Sequence, residues 1–306
     1  MTPWRGLAAQ YLALRRALGH RLVSAERHLD QFLDHLERAG ASTITVDDAV
    51  AWARLPAGRT PAWHAARLSA VRGFAAWAHT FDPTIEVPPP GLLPLRTTRT
   101  TPYLYSAEDV AALMTAAGGL SPDRWAATMQ TLIGLLWVTG MRIGEALSAT
   151  VADVDLDTAT LTVVGAKFGK DRRLLLDPST VQALDRYLQP RRPVPATAPL
   201  LVTPRGNRLA YTPVHDRFVA LVDQAGLADR SPSCRPRFHG FRHSFAVHAM
   251  LDAYHQHGDP AARLQHLSTW LGHTEPANTY WYLHAAPELM ALAVDRLESH
   301  WTGVTP

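Results

Sequence analysis

The chain has 306 residues, 47% of them hydrophobic, with 30 Lys+Arg against 27 Asp+Glu for a formal net charge of +3. That length and apolar content suit two domains with sizeable cores, and no apolar run reaches the roughly 18 residues of a membrane span. The N-terminal MTPWRGLAAQYLALRR lacks a signal-peptide h-region, and the single cysteine, Cys234, permits neither an intrachain disulfide nor a Cys-based zinc site, so a soluble, cytoplasmic protein is expected.

Helical spacing runs from the start, with Leu7, Tyr11, Leu14 and Leu18 recurring about every turn. Ser24 predicts the cap of a second helix, with Leu29, Phe32, Leu33 and Leu36 on one face and Gly40 beyond its end. Thr45 with Asp48 three residues on resembles a capping box for a short third helix. Pro61 opens a fourth, with Leu68, Val71, Phe74 and Ala75 inward. Residues 1–82 therefore read as a compact helical domain. Five prolines in DPTIEVPPPGLLPLRTTRT forbid a continuous helix, so 83–101 reads as an extended linker and 102–306 as the second domain.

In that second domain Ser106 and Asp109 repeat the cap pattern, residues 125–138 are strongly apolar, and Gly140 stands where a helix ends. The alternating, β-branched stretch from Thr160 to Leu176 predicts an antiparallel hairpin whose loop carries Lys167 and Lys170. Helices are expected near 179–189, 213–225, 240–253, 261–271, 276–283 and 287–298. The fold class is mainly α with a small antiparallel β-hairpin.

Charge is unevenly distributed. Of the 30 basic residues 28 are Arg, and the only two Lys are Lys167 and Lys170. Residues 161–242 carry a net +8, between segments of −5 (101–160) and −4 (243–306). A basic stretch in an otherwise acidic half points to a local anionic partner. For an individual arginine of the N-terminal domain, such as Arg15 or Arg67, a solvated helix face is expected.

Four short motifs carry candidate chemistry: TGMRIGEAL with Arg142, the hairpin loop with Lys167, HGFRH from His239 to His243, and LGHTEPANTYWYLH with His273 nine residues before Tyr282. His239 and His243 stand at i, i+4 as in a zinc-protease helix, but Gly240 occupies the position of that motif's general-base Glu and Arg242 shares His239's face. His243 reads instead as a core or supporting residue. Two arginines, two histidines, a lysine and a tyrosine, without an acid or a metal, suit a phosphodiester in flight. Guanidinium forks match its non-bridging oxygens, preorganised donors stabilise developing charge, and a tyrosine can serve as a covalent nucleophile. A lysine can protonate a leaving oxygen when neighbouring cations lower its pKa. Arginine stays protonated and cannot.

This set, in this order and spacing, resembles the tyrosine recombinases, the phage-integrase-type site-specific recombinases. The N-terminal helices resemble that family's SAM-like core-binding domain, so the resemblance covers nearly the whole chain. It implies that Arg142 and Arg242 clamp the scissile phosphate of double-stranded DNA and that Lys167 is the general acid toward the 5′ oxygen. His239 and His273 would hydrogen-bond the phosphate, and Tyr282 would form a 3′-phosphotyrosyl bond. No cofactor or metal is implied. A homo-tetramer on two DNA sites is implied, with the protein monomeric when free, other recombinases or accessory proteins as further partners, and a C-terminal helix offering Leu289, Leu292 and Leu297 to a neighbour. Lys170 and Tyr280 remain the alternatives to Lys167 and Tyr282. A type IB-like topoisomerase shares the chemistry, and a catalytically silent DNA-binding accessory protein is the alternative from another class.

Overall fold

The computed structural model describes residues 3–20, 22–94, 101–164, 171–231, 233–256, 259–272 and 287–302. The chain divides into two units, Met1–Arg99 and Thr100–Pro306. Among the described residues, no helix is long and apolar enough to cross a membrane.

The first unit has helices α1 (Pro3–Ala17), α2 (Val23–Ala39), α3 (Val46–Ala53) and α4 (Pro61–Ala78). Leu29, Phe32, Leu33 and Leu36 of α2 meet Leu68, Val71, Phe74 and Ala75 of α4 in its core. Thr45 Oγ1 caps α3 by accepting the Asp48 amide, with the Thr45 hydroxyl donating to Asp48 Oδ2, and Pro61 opens α4 as expected, Thr60 accepting the amide of Trp63. Two local expectations change. The second helix begins at Val23 without a side-chain cap, because Leu22, left-handed at φ 50°, packs against the core and directs the entry in place of Ser24. The buried face of α1 is Trp4, Ala8, Tyr11 and Leu12, whereas Leu14 and Leu18 are exposed.

Arg67 is not on a solvated face. Only 6% exposed, it lies over the rings of Trp52 (3.7 Å) and Trp63 (4.6 Å) and donates to the Trp52 carbonyl at 3.2 Å. Its stem fills the core while two aromatic faces and a carbonyl take its charge. Beyond α4 the chain stays on this unit through residue 94. Ile85 and Leu93 are buried in its core, and Arg72 donates to the carbonyls of Pro88 and Pro89 at 2.7 and 3.0 Å.

The second unit runs α5 (Ala107–Gly118), α6 (Asp123–Thr139), α7 (Ile143–Ser148), β1 (Val154–Asp155), β2 (Thr160–Val163), β3 (Arg172–Leu175), α8 (Pro178–Leu188), α9 (Tyr211–Gln224), α10 (Phe238–His255), α11 (Pro260–Leu271) and α12 (Pro287–Thr302). Apolar residues cover most of α6, and it sits at the centre with α5, α8 and α10 packed on it. The full capping box at Ser106 and Asp109 starts α5. The sheet is antiparallel in the order β1-β2-β3, with Leu161 opposite Leu174 and Val163 opposite Arg172. Leu161, Val163 and Leu174 face the core, which fixes the register. The predicted helix at 276–283 lies outside the described residues. On α12, Leu289 is buried within its own chain against α10 and α11 residues, and Leu297 is 54% exposed.

Candidate active site

The α6–α7 turn presents Arg142. Gly140 ends α6 in the left-handed region (φ 61°), and a Cβ there would stand 2.6 Å from the Phe245 ring. Extended backbone at Arg142 then starts α7. Six residues are too few for a helix to hold alone, and both ends of α7 are fastened. At the front, Glu145 accepts the Arg142 amide at 2.8 Å and the Arg142 Nη1 at 2.9 Å. At the back, Arg208 Nη1 donates to the carbonyls of Leu147 and Ser148 at 3.0 and 2.6 Å. The Arg142 side chain remains 35% exposed.

Helix α10 supplies His239 and Arg242 from its first two turns. The segment before α5 crosses so close that a Cβ on Gly240 would meet the Tyr103 carbonyl and the Tyr105 ring, each at 2.7 Å. Tyr105 stacks on Phe241 at 4.3 Å, and its amide donates to Ser244 Oγ at 2.7 Å. Gly240 is thus a close-approach residue. Arg242 is 1% exposed. Its Nη1 donates to the Gly140 carbonyl at 3.0 Å and its Nη2 to the Leu271 carbonyl at 2.6 Å. One guanidinium therefore ties the C-terminal ends of α6 and α11, where helix carbonyls lack partners and favour a cation.

His239 opens to solvent on one side, but protein atoms crowd its ring. This crowding, reinforced by the charges of Arg242 and then Arg142, lowers its pKa below the ordinary 6.5. The imidazole lies within the field of both arginines. His243, its ring 4.6 Å from that of His239, is buried as the sequence suggested.

Three residues of this constellation, Glu145, Arg172 and Trp270, were not among the sequence candidates. Arg172, the first residue of β3, donates from Nη1 and Nη2 to the two Glu145 oxygens at 3.1 and 2.7 Å and from Nε to the Trp270 carbonyl at 2.8 Å. Burial opposes ionisation of Glu145, yet hydrogen bonds from Arg172 and the Arg142 amide, with the Arg172 charge, pull its pKa down to about 2. Trp270 completes the seam, its Nε1 donating to the Thr139 carbonyl at 2.9 Å. Glu145 had a signal, being an acid three residues after the helix start. Arg172 had none, since its partners lie 27 and 98 positions away. The structure brings Arg142, His239 and Arg242 together. Lys167, Lys170, His273, Tyr280 and Tyr282 lie outside the described residues.

Comparison with known proteins agrees with this architecture. The model of the Phage integrase family matches residues 104–288. The chain is 42% identical over 311 residues to "Putative integrase/recombinase y4rB" of Sinorhizobium fredii (strain NBRC 101917 / NGR234), spanning 98% of this chain and 99% of that protein. It is 31% identical over 292 residues to "Tyrosine recombinase XerC" of Mycobacterium sp. (strain JLS), covering 90% and 91%. Two solved structures share the fold: the XerH site-specific recombinase bound to a palindromic difH substrate, with TM-score 0.63, 19% identity and coverage of 89% and 78%; and the Tn1549 transposon integrase in complex with transposon right end DNA, with TM-score 0.62, 15% identity and coverage of 95% and 99%. The chain belongs to the phage integrase family of tyrosine recombinases, enzymes that cleave and rejoin DNA strands.

Proposed function

We propose that this recombinase acts at specific sites on double-stranded DNA, serves a mobile genetic element, and works through a 3′-phosphotyrosyl intermediate at Tyr282. The observation that carries the reading is the convergence of Arg142, Arg242 and His239, two guanidiniums and an imidazole held by the ends of α6, α7, α10 and α11. Donors fixed before the substrate arrives stabilise the extra charge of a pentavalent phosphorane without reorganising. Arg142 addresses the phosphate from an open position and Arg242 from a buried one.

The Tyr282 hydroxyl attacks phosphorus and passes its proton to the His239 imidazole, and the P–O5′ bond breaks as the tyrosyl–phosphorus bond forms. Lys167 delivers a proton to the departing 5′ oxygen, while His239 and His273 hydrogen-bond the phosphate and assist proton transfer. Attack by a 5′-hydroxyl of the partner duplex reverses the sequence and releases Tyr282. The phosphotyrosyl bond conserves the energy of the cleaved link, so the cycle needs no cofactor. A homo-tetramer on two sites, assembled from free monomers, completes the exchange at the nucleoid. The relative named as an integrase/recombinase supports the mobile-element role.

The test uses duplexes recovered from a random-sequence library by the Tyr282→Phe protein. Wild-type protein should form denaturant-resistant adducts with the 3′ side of the break, and Tyr282→Phe should form none while binding within a few fold of wild type. Adducts that survive in Tyr282→Phe but vanish in Tyr280→Phe would overturn the choice of nucleophile. Lys167→Ala should slow cleavage and recover on a 5′-phosphorothiolate bridge, whose leaving group needs no proton; without recovery, Lys167 is not the acid.

A further inference from the structure

Arg172 has no part in the chemistry above, yet its side chain, 10% exposed, makes three hydrogen bonds within the site. The fork of Nη1 and Nη2 spans both Glu145 oxygens while Nε takes the Trp270 carbonyl. Three elements distant in sequence meet at this guanidinium: the hairpin strand β3, the first turn of α7 and the last turn of α11. Each leads to a residue of the proposed chemistry. Glu145 holds Arg142 by its amide and its side chain. Trp270 stands three positions before His273, and Arg172 itself five after Lys167. Gly272, left-handed at φ 68°, lies against the same group, where a Cβ would be 3.1 Å from Arg172 Nη1 and 3.4 Å from Cζ.

A buried ion pair is weak evidence of stabilisation, because desolvation offsets most of the attraction. Direction is another matter: a planar fork with a third donor fixes a carboxylate and a carbonyl relative to each other, and lysine, a point charge on a flexible stem, cannot. We infer that Arg172 is a positioning residue for strand cleavage: through Glu145 it sets the Arg142 guanidinium, and through the Trp270 carbonyl it locks the end of α11 to the same frame. The inference rests on the roles proposed above for Arg142 and His273.

The test is a double-mutant cycle of Arg172→Lys and Glu145→Gln on the recovered duplexes, run below the melting midpoint of every variant. Arg172→Lys keeps the charge and loses the fork. It should slow single-turnover adduct formation at least about tenfold while DNA affinity stays within about threefold. The double variant should be no more than about threefold slower than the slower single, since residues acting in series are not additive. Adduct formation by Arg172→Lys at the wild-type rate overturns the inference. So does a double variant slowed by the product of the two singles, or a loss of affinity that parallels the loss of rate.

A readout without DNA separates this inference from the proposed reaction. Arg142 contributes to the low pKa of His239, so an Arg142 released by Arg172→Lys changes the His239 titration measured by NMR. If wild type forms no adduct but this titration moves, the reading of the reaction fails and the positioning stands. An unmoved titration overturns the positioning.

Discussion

Replacing Glu145 by Gln tests the electrostatics of the site in a way the structure quantifies. The carboxylate is 11% exposed and accepts from the Arg142 amide, Arg142 Nη1 and both terminal nitrogens of Arg172. Burial alone would raise its pKa; the arginines and the amide reverse this, from the ordinary 4.5 down to about 2. At about 1.4 kcal/mol per pKa unit, that difference is worth roughly 3 kcal/mol of folding free energy. The folded pKa is the depressed one, so the stabilisation is complete above about pH 4.5 and drains away as pH falls toward 2. Gln keeps the shape but cannot ionise. Glu145→Gln should therefore be destabilised by about 3 kcal/mol at pH 7, a fall of roughly 6–12 °C in the midpoint of a unit of about 200 residues. The gap should narrow below pH 4.5 and be nearly closed at pH 2. Urea unfolding of both proteins at pH 7, 4.5 and 3 measures it. A gap that is absent at pH 7, or that is the same at every pH, would refute the reasoning.

Other consequences follow from single contacts. Gly240→Ala gains about 1 kcal/mol in helix propensity but forces a Cβ to within 2.7 Å of the Tyr103 carbonyl and the Tyr105 ring. Overpacking of about 1–3 kcal/mol should win, and a variant at least as stable as wild type in thermal unfolding would contradict the close approach. Arg67→Lys should cost the first unit about 1–2 kcal/mol in urea unfolding, because the ammonium loses the stack on Trp52 and Trp63; an unchanged midpoint would mean those contacts contribute nothing. By NMR, His239 should titrate below 6.5 and move upward in Arg142→Met, which removes one of the two cations that hold it down; a downward or absent shift would place Arg142 out of range.

The elements legible in the sequence were those whose signals are local. The helix with Leu29, Phe32, Leu33 and Leu36 shows an apolar stripe, the Ser106–Asp109 box closes within one turn, and Gly140 ends α6 by its own backbone preference. Where a distant partner decides, the sequence was silent. Leu22 in place of Ser24 governs the start of α2 because a core assembled from other helices receives it. Arg67 looks like surface charge until Trp52 arrives from α3 and meets it beside Trp63 of its own helix. The same division holds in the site. Arg142, His239 and Arg242 are carried by short motifs and could be named. Their fastening could not: Arg242 and Arg172 bind main-chain carbonyls at Gly140, Leu271 and Trp270, and a carbonyl leaves no mark in a residue pattern. The Gly of HGFR could be seen to exclude a zinc-protease base, but the reason for it, the crossing segment at Tyr103 and Tyr105, is tertiary.

The most direct measurement is identification of the residue that carries DNA. Wild-type protein trapped on a recovered duplex would be digested with trypsin and nuclease, and the modified peptide sequenced by mass spectrometry. The account predicts a nucleotide joined through its 3′ phosphate to Tyr282, with the other fragment bearing a free 5′-hydroxyl. A nucleotide on Tyr280 or on any other side chain, or a linkage to the 5′ phosphate, would contradict it.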